Sequence, residues 1–282
     1  MNITFKISNS NLNIKKYCKL YTKCFNQNKF HFDYINWLYN KNPSGNFIGI
    51  DCYDYDKLIG QVGGVPHEFC YDKKKLKFIM SINVCVDGNY RGQKLFSKMA
   101  KKFEVLIQKN NFDGLIAIGN KSATPAWVNS INLINLGELD AFLGWGEINE
   151  NNIDIEKYNF FSVWNNEKIL WRFKNPNNKT YSTKNDNIKI KPIYSITKYF
   201  SLKAHAPLIF FDDEVSFIKS NKDILKFFIF IGKIGKLKNK NIINIPKKLK
   251  PSPLNFLYKT YNNKINLDYE KVFFSFLDFD IF

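Results

Sequence analysis

The chain has 282 residues, of which 45% are hydrophobic and 17% aromatic, and its 42 basic and 25 acidic side chains leave a net charge of +17. That composition excludes a disordered chain and a span-bearing membrane protein, because apolar residues are plentiful yet no apolar run approaches the roughly 18 residues a span needs. The length suits two folded units better than one.

In chain order, Phe47 to Tyr53, Leu58 to Val65 and Leu76 to Val86 read as an antiparallel meander, with turns at Asp54 to Lys57 and Asp72 to Lys75. In the last strand, alternation puts Ile79, Ser81, Asn83 and Cys85 on one face and Met80, Ile82, Val84 and Val86 on the other. After a turn at Asp87 to Tyr90, Leu95, Met99, Phe103 and Leu106 recur at helical spacing with lysines elsewhere around the helix. Asn110, Asn111 and Gly114 close it, and Leu115 to Gly119 is an apolar run suited to a buried parallel strand. A further helix is expected from Pro125 through Trp127, Ile131 and Ile134 to Gly137.

Polar linkers appear near residue 150, so the boundary is placed there, with units at 1–150 and 151–282. The second half echoes the first: Trp37 to Pro43 is matched by Trp171 to Pro176, one residue shorter. On that pattern residues 151–282 form a smaller, degenerate copy, with a long helix from Asp223 to Leu237 and a strand from Ile242 to Ile245.

The segment Met1 to Ile7 has neither the basic front nor the apolar block of a signal peptide, so a cytoplasmic protein is expected, without stable membrane insertion. Cysteines at 18, 24, 52, 70 and 85 form no Cys-x-x-Cys pair, which argues for free thiols and against a metal cluster. The charge draws polyanions: nucleic acid, anionic lipid or a phosphorylated small molecule. Lys233 to Lys250 holds seven lysines and no acid, but lacks the interleaved aromatics that stack bases, so it reads as a solvated basic face and no nucleic-acid partner is expected. Only Arg91 and Arg172 are arginines, and the planar fork of an arginine suits an anion.

Arg91 stands in the most informative segment, Val84 to Ser97, a tight loop between a strand and a helix N-terminus. Such a loop offers unpaired N–H groups and the positive end of a helix dipole to a phosphate. Here the chain resembles the GNAT superfamily of acyl-CoA-dependent N-acyltransferases, whose loop reads Arg/Gln-x-x-Gly-x-Gly/Ala. The likeness covers about residues 40 to 146, including Asn120 and the Leu136-Gly137 turn. Where the family has two small residues, this chain has Lys94 and Phe96, and where it often has a tyrosine acid, Leu133 stands. The resemblance implies an α/β (α+β) fold with a central mixed, splayed sheet flanked by helices. It also implies an acyl-CoA donor, acetyl-CoA or hydroxybutanoyl-CoA, and direct attack of an amine on the thioester.

On that resemblance Val84 and Val86 hold the pantetheine arm and thioester oxygen, Arg91, Gly92, Gln93, Lys94, Leu95, Phe96 and Ser97 hold the pyrophosphate, and Asn120 and Ser122 line the far wall. His67 is the expected base, since its ordinary pKa suits proton removal near neutrality, and Asn83 positions the amine or a water. Cys85 as a covalent nucleophile is disfavoured by its strand position. Among acceptors, the Trp37 segment and the Tyr90-Arg91-Gly92 loop resemble enzymes that acylate a nucleotide-linked, probably dTDP-linked, aminodeoxysugar in lipopolysaccharide or capsule biosynthesis. Trp37, Tyr39, Glu68, Ser81, Trp127, Trp145 and Arg172 are then the expected sugar-nucleotide contacts. The alternatives are a protein or peptide amine, or a non-catalytic basic module for nucleic acid or anionic membrane.

Overall fold

The chain divides into two compact units that interleave along the sequence. In the computed structural model the described residues are 1–146, 153–182, 190–197, 202–210, 227–234, 241–250, 252–261 and 265–279. The first unit takes Met1–His67, Lys77–Leu136 and Leu254–Ile265, and the second takes Glu68–Leu76, Gly137–Pro253 and Asn266–Phe282. The cut thus falls at 137 instead of 150, and a C-terminal segment belongs to the first unit.

In the first unit β1 (Ile3–Ile7) is followed by α1 (Ser10–Phe25) and α2 (Phe32–Asn40) and pairs antiparallel with β2 (Ile48–Asp54). The Asn9 side chain caps the start of α1 by accepting the Leu12 N–H, and left-handed Asn26 ends it. The meander continues through β3 (Lys57–Tyr71), β4 (Lys74–Ser81) and β5 (Cys85–Val86). Strand β3 runs straight through Pro66 to Tyr71, farther than the turn signal at that proline suggests. Helix α3 (Leu95–Lys109) follows, burying Leu95, Met99, Phe103 and Ile107 against Ile50, Ile59, Ile79, Leu115 and Ala117. Each such side chain contributes about 1.5–3 kcal/mol of burial, so the helix is held by packing more than by propensity.

Strand β6 (Gly114–Gly119) runs parallel to β4, as its unbroken apolar sequence predicts. Gly114 is required there: a Cβ would stand 2.3 Å from the Phe78 ring and 2.5 Å from the Lys259 carbonyl oxygen. Helix α4 (Ala123–Ile131) stops earlier than its apolar spacing predicts, because left-handed Asn132 closes it, and Ile134 opens a strand, β7 (Ile134–Glu138).

The second unit contains β8 (Asp140–Trp145), β9 (Phe160–Ser162), α5 (Asn166–Phe173), β10 (Thr180–Ser182), β11 (Ile190–Ile196), β12 (Lys203–Ile209), β13 (Phe227–Lys233) and β14 (Ile242–Asn244). Residues 227–233 are a strand where a helix is expected, and 223–226 lie outside the described residues. The aromatic and β-branched run Phe227 to Ile231 fits a pleated surface better than a helix, and its burial alternates from residue to residue. Strands β10, β11 and β12 form an antiparallel meander, β12 pairs parallel with β13, and β8 pairs antiparallel with both β13 and β14.

The chain then returns to the first unit as β15 (Asn255–Thr260), antiparallel to β6 and adjacent to β7. Finally β16 (Val272–Ser275) pairs with β9 and the end of β13, and α6 (Phe276–Phe279) follows. One order of elements occurs twice: a helix followed within three residues by Asn-Pro, an antiparallel meander, a strand parallel to its last member, and an antiparallel strand on the far side. That last strand is β15 in the first unit and β8 in the second.

Candidate functional site

The site begins with a fault in the β4–β5 strand. Ile82 N–H donates to the Gly63 carbonyl oxygen at 3.2 Å, whereas Cys85 pairs with Gln61, so Asn83 and Val84 together stand opposite Val62 alone. This is a β-bulge, and Asn83 takes the left-handed conformation, φ 53°, that it requires. The fault also breaks the two-residue alternation of faces: Ile82, Asn83 and Val84 are all half-buried.

Pairing then opens. Strand β4 is parallel to β6 from Phe78 to Ser81, opposite Gly114 to Ala117, while β5 pairs only with β3 among the described strands. The Asp87 N–H bonds the Ile59 oxygen at 2.8 Å, which fixes the groups of Cys85 and Asp87 towards β3 and those of Val84 and Val86 away from it. The Val84 N–H and C=O and the Val86 N–H thus line an unpaired edge on the β6 side, the splay expected from the sequence. The Val86 oxygen accepts from Arg91 Nε at 3.3 Å.

The loop after β5 is anchored before it reaches α3. Asp87 is buried and its carboxylate accepts from Lys23 Nζ at 2.7 Å and from the Asn89 N–H at 3.2 Å. Burial alone pushes its pKa up, but these donors outweigh burial and hold the carboxyl below its usual range. Tyr90 donates to Asp54 at 2.9 Å. Arg91, Gly92, Gln93 and Lys94 are exposed, with Gly92 at φ 81° and Lys94 at φ 57°. No side chain caps α3 and its first turn has no acid, so its N-terminal N–H groups face outward with the positive dipole end uncompensated.

The two bulky departures from the loop pattern leave that backbone accessible. A Cβ at Gly92 would meet nothing within 4 Å, and the left-handed turn at Lys94 keeps its side chain exposed. Phe96 packs edge-on against Trp127, ring centroids 5.0 Å apart.

Behind the bulge lies a polar network that the sequence reading missed. Asn83 Nδ2 donates to the Tyr39 hydroxyl at 3.3 Å, which bonds the Tyr21 hydroxyl at 2.7 Å. The Cys24 and Cys85 thiols are hydrogen-bonded to each other, and burial pushes the Cys85 pKa up, which disfavours the thiolate that a nucleophile needs. Asp51, fully buried, accepts from Ser8, Gln61, Tyr17 and Tyr53; burial still raises its pKa against those four bonds. A signal existed: Tyr17, Tyr21 and Cys24 recur at helical spacing, and polar atoms on a buried face require partners.

Of the expected site residues, Val84, Val86 and Arg91 to Ser97 fall together at the opening. Asn120 and Ser122 follow β6, but the Asn120 oxygen accepts the Ser122 and Ala123 N–H groups and the Ser122 hydroxyl, so the pair starts α4. Ser81 Oγ donates to the Gly63 oxygen within the sheet. Trp37, Tyr39 and Trp127 are core residues, whose burial leaves no ring face for a sugar or base. His67 is buried in β3, four residues beyond Gly63 and so about 13 Å along the strand from the bulge, too far to take a proton there.

The remaining three belong to the second unit. Glu68 is committed to Lys168 at 2.8 Å. Burial lowers the Lys168 pKa, and Glu68 opposes that shift. Arg172 is buried, stacks on Trp171 and donates to the Leu277 oxygen at 2.6 Å, which removes it from anion binding. Trp145 lies exposed on β8. The closing residues 280–282 lie outside the described residues.

No family model matches the chain. A protein of Amsacta moorei entomopoxvirus with the provisional name glycylpeptide N-tetradecanoyltransferase is 28% identical over 233 residues, 83% of this chain. The chain spans 64% of that relative's length.

Three solved structures match with TM-scores of 0.60, 0.59 and 0.58 at 9%, 11% and 6% identity. They are a conserved Enterococcus faecalis V583 protein of unknown function provisionally assigned as an N-acyltransferase, a GCN5-related N-acetyltransferase from Anabaena variabilis, and Eis1 from Mycobacterium abscessus. The matches cover 92%, 91% and 92% of this chain and 73%, 73% and 74% of those chains. The splayed parallel pair beside an uncapped helix start is therefore set in a mixed α/β fold, the fold of the GCN5-related N-acetyltransferases.

Proposed function

We propose that the chain is an N-acyltransferase that moves an acyl group from acyl-coenzyme A to an amine at the opening between β5 and β6. The observation that carries this reading is the bulge at Asn83 and Val84, which frees backbone donors next to the uncapped start of α3. Val84 and Val86 offer N–H groups along the unpaired edge, which suit a pantetheine amide and the thioester oxygen. The N–H groups at the start of α3, with Arg91 and Lys94, suit a pyrophosphate. The amine nitrogen bonds the thioester carbon, the C–S bond breaks, and the amine's lost proton and the thiolate's gained proton balance through water. His67 lies outside direct reach, so no side chain is assigned as base.

The relative's name favours a peptide acceptor with an N-terminal glycine amine and a long-chain donor. A nucleotide-linked aminosugar remains the second reading, supported by the two diphosphate-bearing substrates that a +17 chain would attract. The burial of Trp37, Tyr39 and Arg172 removes three contacts expected for the sugar, and we rank the peptide amine first.

The test is acyl transfer by the purified chain with acetyl-CoA or tetradecanoyl-CoA as donor. Glycyl peptides or nucleotide-linked aminosugars serve as acceptors. Thioester-dependent acylation of the glycyl peptide, with turnover of His67→Ala within about twofold of the native chain from pH 6 to 9, is the expected result. Acylation of the aminosugar alone would reverse the ranking, and loss of turnover in His67→Ala with the fold intact would restore it as base.

A further inference from the structure

Two thiols from distant parts of the chain meet behind the opening. Cys24 lies in the last turn of α1 and is half-buried, and Cys85 lies in β5 and is buried. The Cys85 S–H donates to the Cys24 sulfur. Beside them Lys23 Nζ meets the Asp87 carboxylate at 2.7 Å, a second tie between the end of α1 and the end of β5. Side-chain direction separates this pair from the opening. Val84 and Val86 pack with the α3 core, whereas Cys85 lies with Tyr21 and Tyr39 on the α1 side.

The two sulfurs are unequal. The hydrogen bond from Cys85, then Arg91 and Lys23, hold the Cys24 thiol below its ordinary pKa against burial and Asp87. Burial pushes Cys18, Cys52, Cys70 and Cys85 the other way. Cys24 therefore joins the three features of an oxidisable thiol: partial exposure, cationic neighbours and a second sulfur in contact.

We propose that Cys24 and Cys85 are a peroxide-sensitive pair that closes to a disulfide between α1 and β5. The Cys24 thiolate attacks one oxygen of hydrogen peroxide, the O–O bond breaks, and a sulfenic acid and hydroxide form. The Cys85 sulfur then attacks the Cys24 sulfur, the S–O bond breaks, and the Cys85 proton leaves with that oxygen as water. The proton released when Cys24 ionised neutralises the hydroxide. Overall the pair is oxidised to a disulfide and the peroxide is reduced to water.

Closure has a structural consequence. The sulfurs of a disulfide stand about 2.05 Å apart, closer than in any thiol hydrogen bond, so α1 and β5 are drawn together. Strand β5 is the part that yields, being two residues long and paired only with β3 among the described strands. Val84 and Val86 move with it. That closure weakens coenzyme A binding rests on the acyl-transfer reading; the disulfide itself does not.

The test exposes the reduced whole chain to hydrogen peroxide, blocks the remaining thiols with iodoacetamide and maps the peptides by mass spectrometry. The expected result is a linked Cys24–Cys85 peptide that dithiothreitol releases. Cys24→Ser abolishes the link and leaves Cys85 a thiol. In Cys85→Ser the reaction stops at the Cys24 sulfenic acid, which dimedone captures. Should that buried variant fail to fold, Cys24→Ser and the native peptide map decide. Coenzyme A affinity falls about three- to tenfold in the oxidised chain, the worth of one backbone hydrogen bond, and dithiothreitol restores it. A pair that stays reduced under peroxide overturns the proposal, as does a link from Cys24 to any other cysteine. A closed disulfide with unchanged coenzyme A affinity overturns the coupling to β5. Absence of coenzyme A binding in the reduced chain would instead fail the acyl-transfer reading and leave the disulfide standing.

Discussion

Asn83 does two separable things. Its backbone holds the left-handed turn that breaks pairing, and its amide bonds Tyr39. Asn83→Gly retains the backbone geometry and loses the amide, so coenzyme A affinity stays within about twofold while turnover falls. Asn83→Val loses both, and a β-branched residue at positive φ costs about 1–2 kcal/mol, visible as a lower urea midpoint. Equal turnover in the native chain and the glycine variant would remove the amide from the mechanism.

A second residue sets pH dependence in the second unit. Asp278 is buried, its Oδ1 accepting from Trp164 Nε1 at 3.2 Å and its Oδ2 from the Ser275 N–H at 2.6 Å. Burial pushes its pKa up to about 6, against the pull of those donors, Ser162 and Arg172. Between about pH 4 and pH 6 the folded state keeps a proton that the unfolded chain has released. Stability therefore falls as pH rises across that interval, by about 3 kcal/mol. Asp278→Asn removes this slope, as denaturant midpoints at acid and neutral pH will read. An unchanged slope would place the titration elsewhere.

At the scale of elements, β15 is the piece the sequence hides best. It lies 136 residues beyond the end of β6 yet supplies its antiparallel neighbour, and Leu257 is buried against the core that α3 covers. Leu257→Ala should cost the first unit about 2–5 kcal/mol, with faster hydrogen exchange in β6 than in β13. Equal effects in both strands would contradict the assignment of β15 to the first unit.

Local elements were legible: the amphipathic period of α3 and the apolar run of β6 match the structure within a residue. Strand β13 was not, because Phe227 to Ile231 is a short apolar run whose length and periodicity do not separate strand from buried helix, and its aromatic and β-branched bias decides only with its partners β8 and β12 in place. The loop from Arg91 to Ser97 was legible from residue type and order. The aromatic contacts were not, since composition does not distinguish a ring in a core, such as Trp37 or Trp127, from one on a surface, such as Trp145.

For the whole molecule, the two units repeat an order of elements, but the β-bulge, the splay and the uncapped helix meet in the first. In the second, β12 is likewise parallel to β13, and the connection between them falls largely outside the described residues. On the proposed function, the opening in the first unit binds coenzyme A through the Arg91 loop despite Lys94 and Phe96. Calorimetric titration of the purified chain with coenzyme A, beside Arg91→Ala, tests it directly. Saturable micromolar binding, weakened about tenfold or more in the variant by loss of a charge-assisted contact, is the predicted result. Absence of binding in the native chain, or identical affinities in the two proteins, would contradict it.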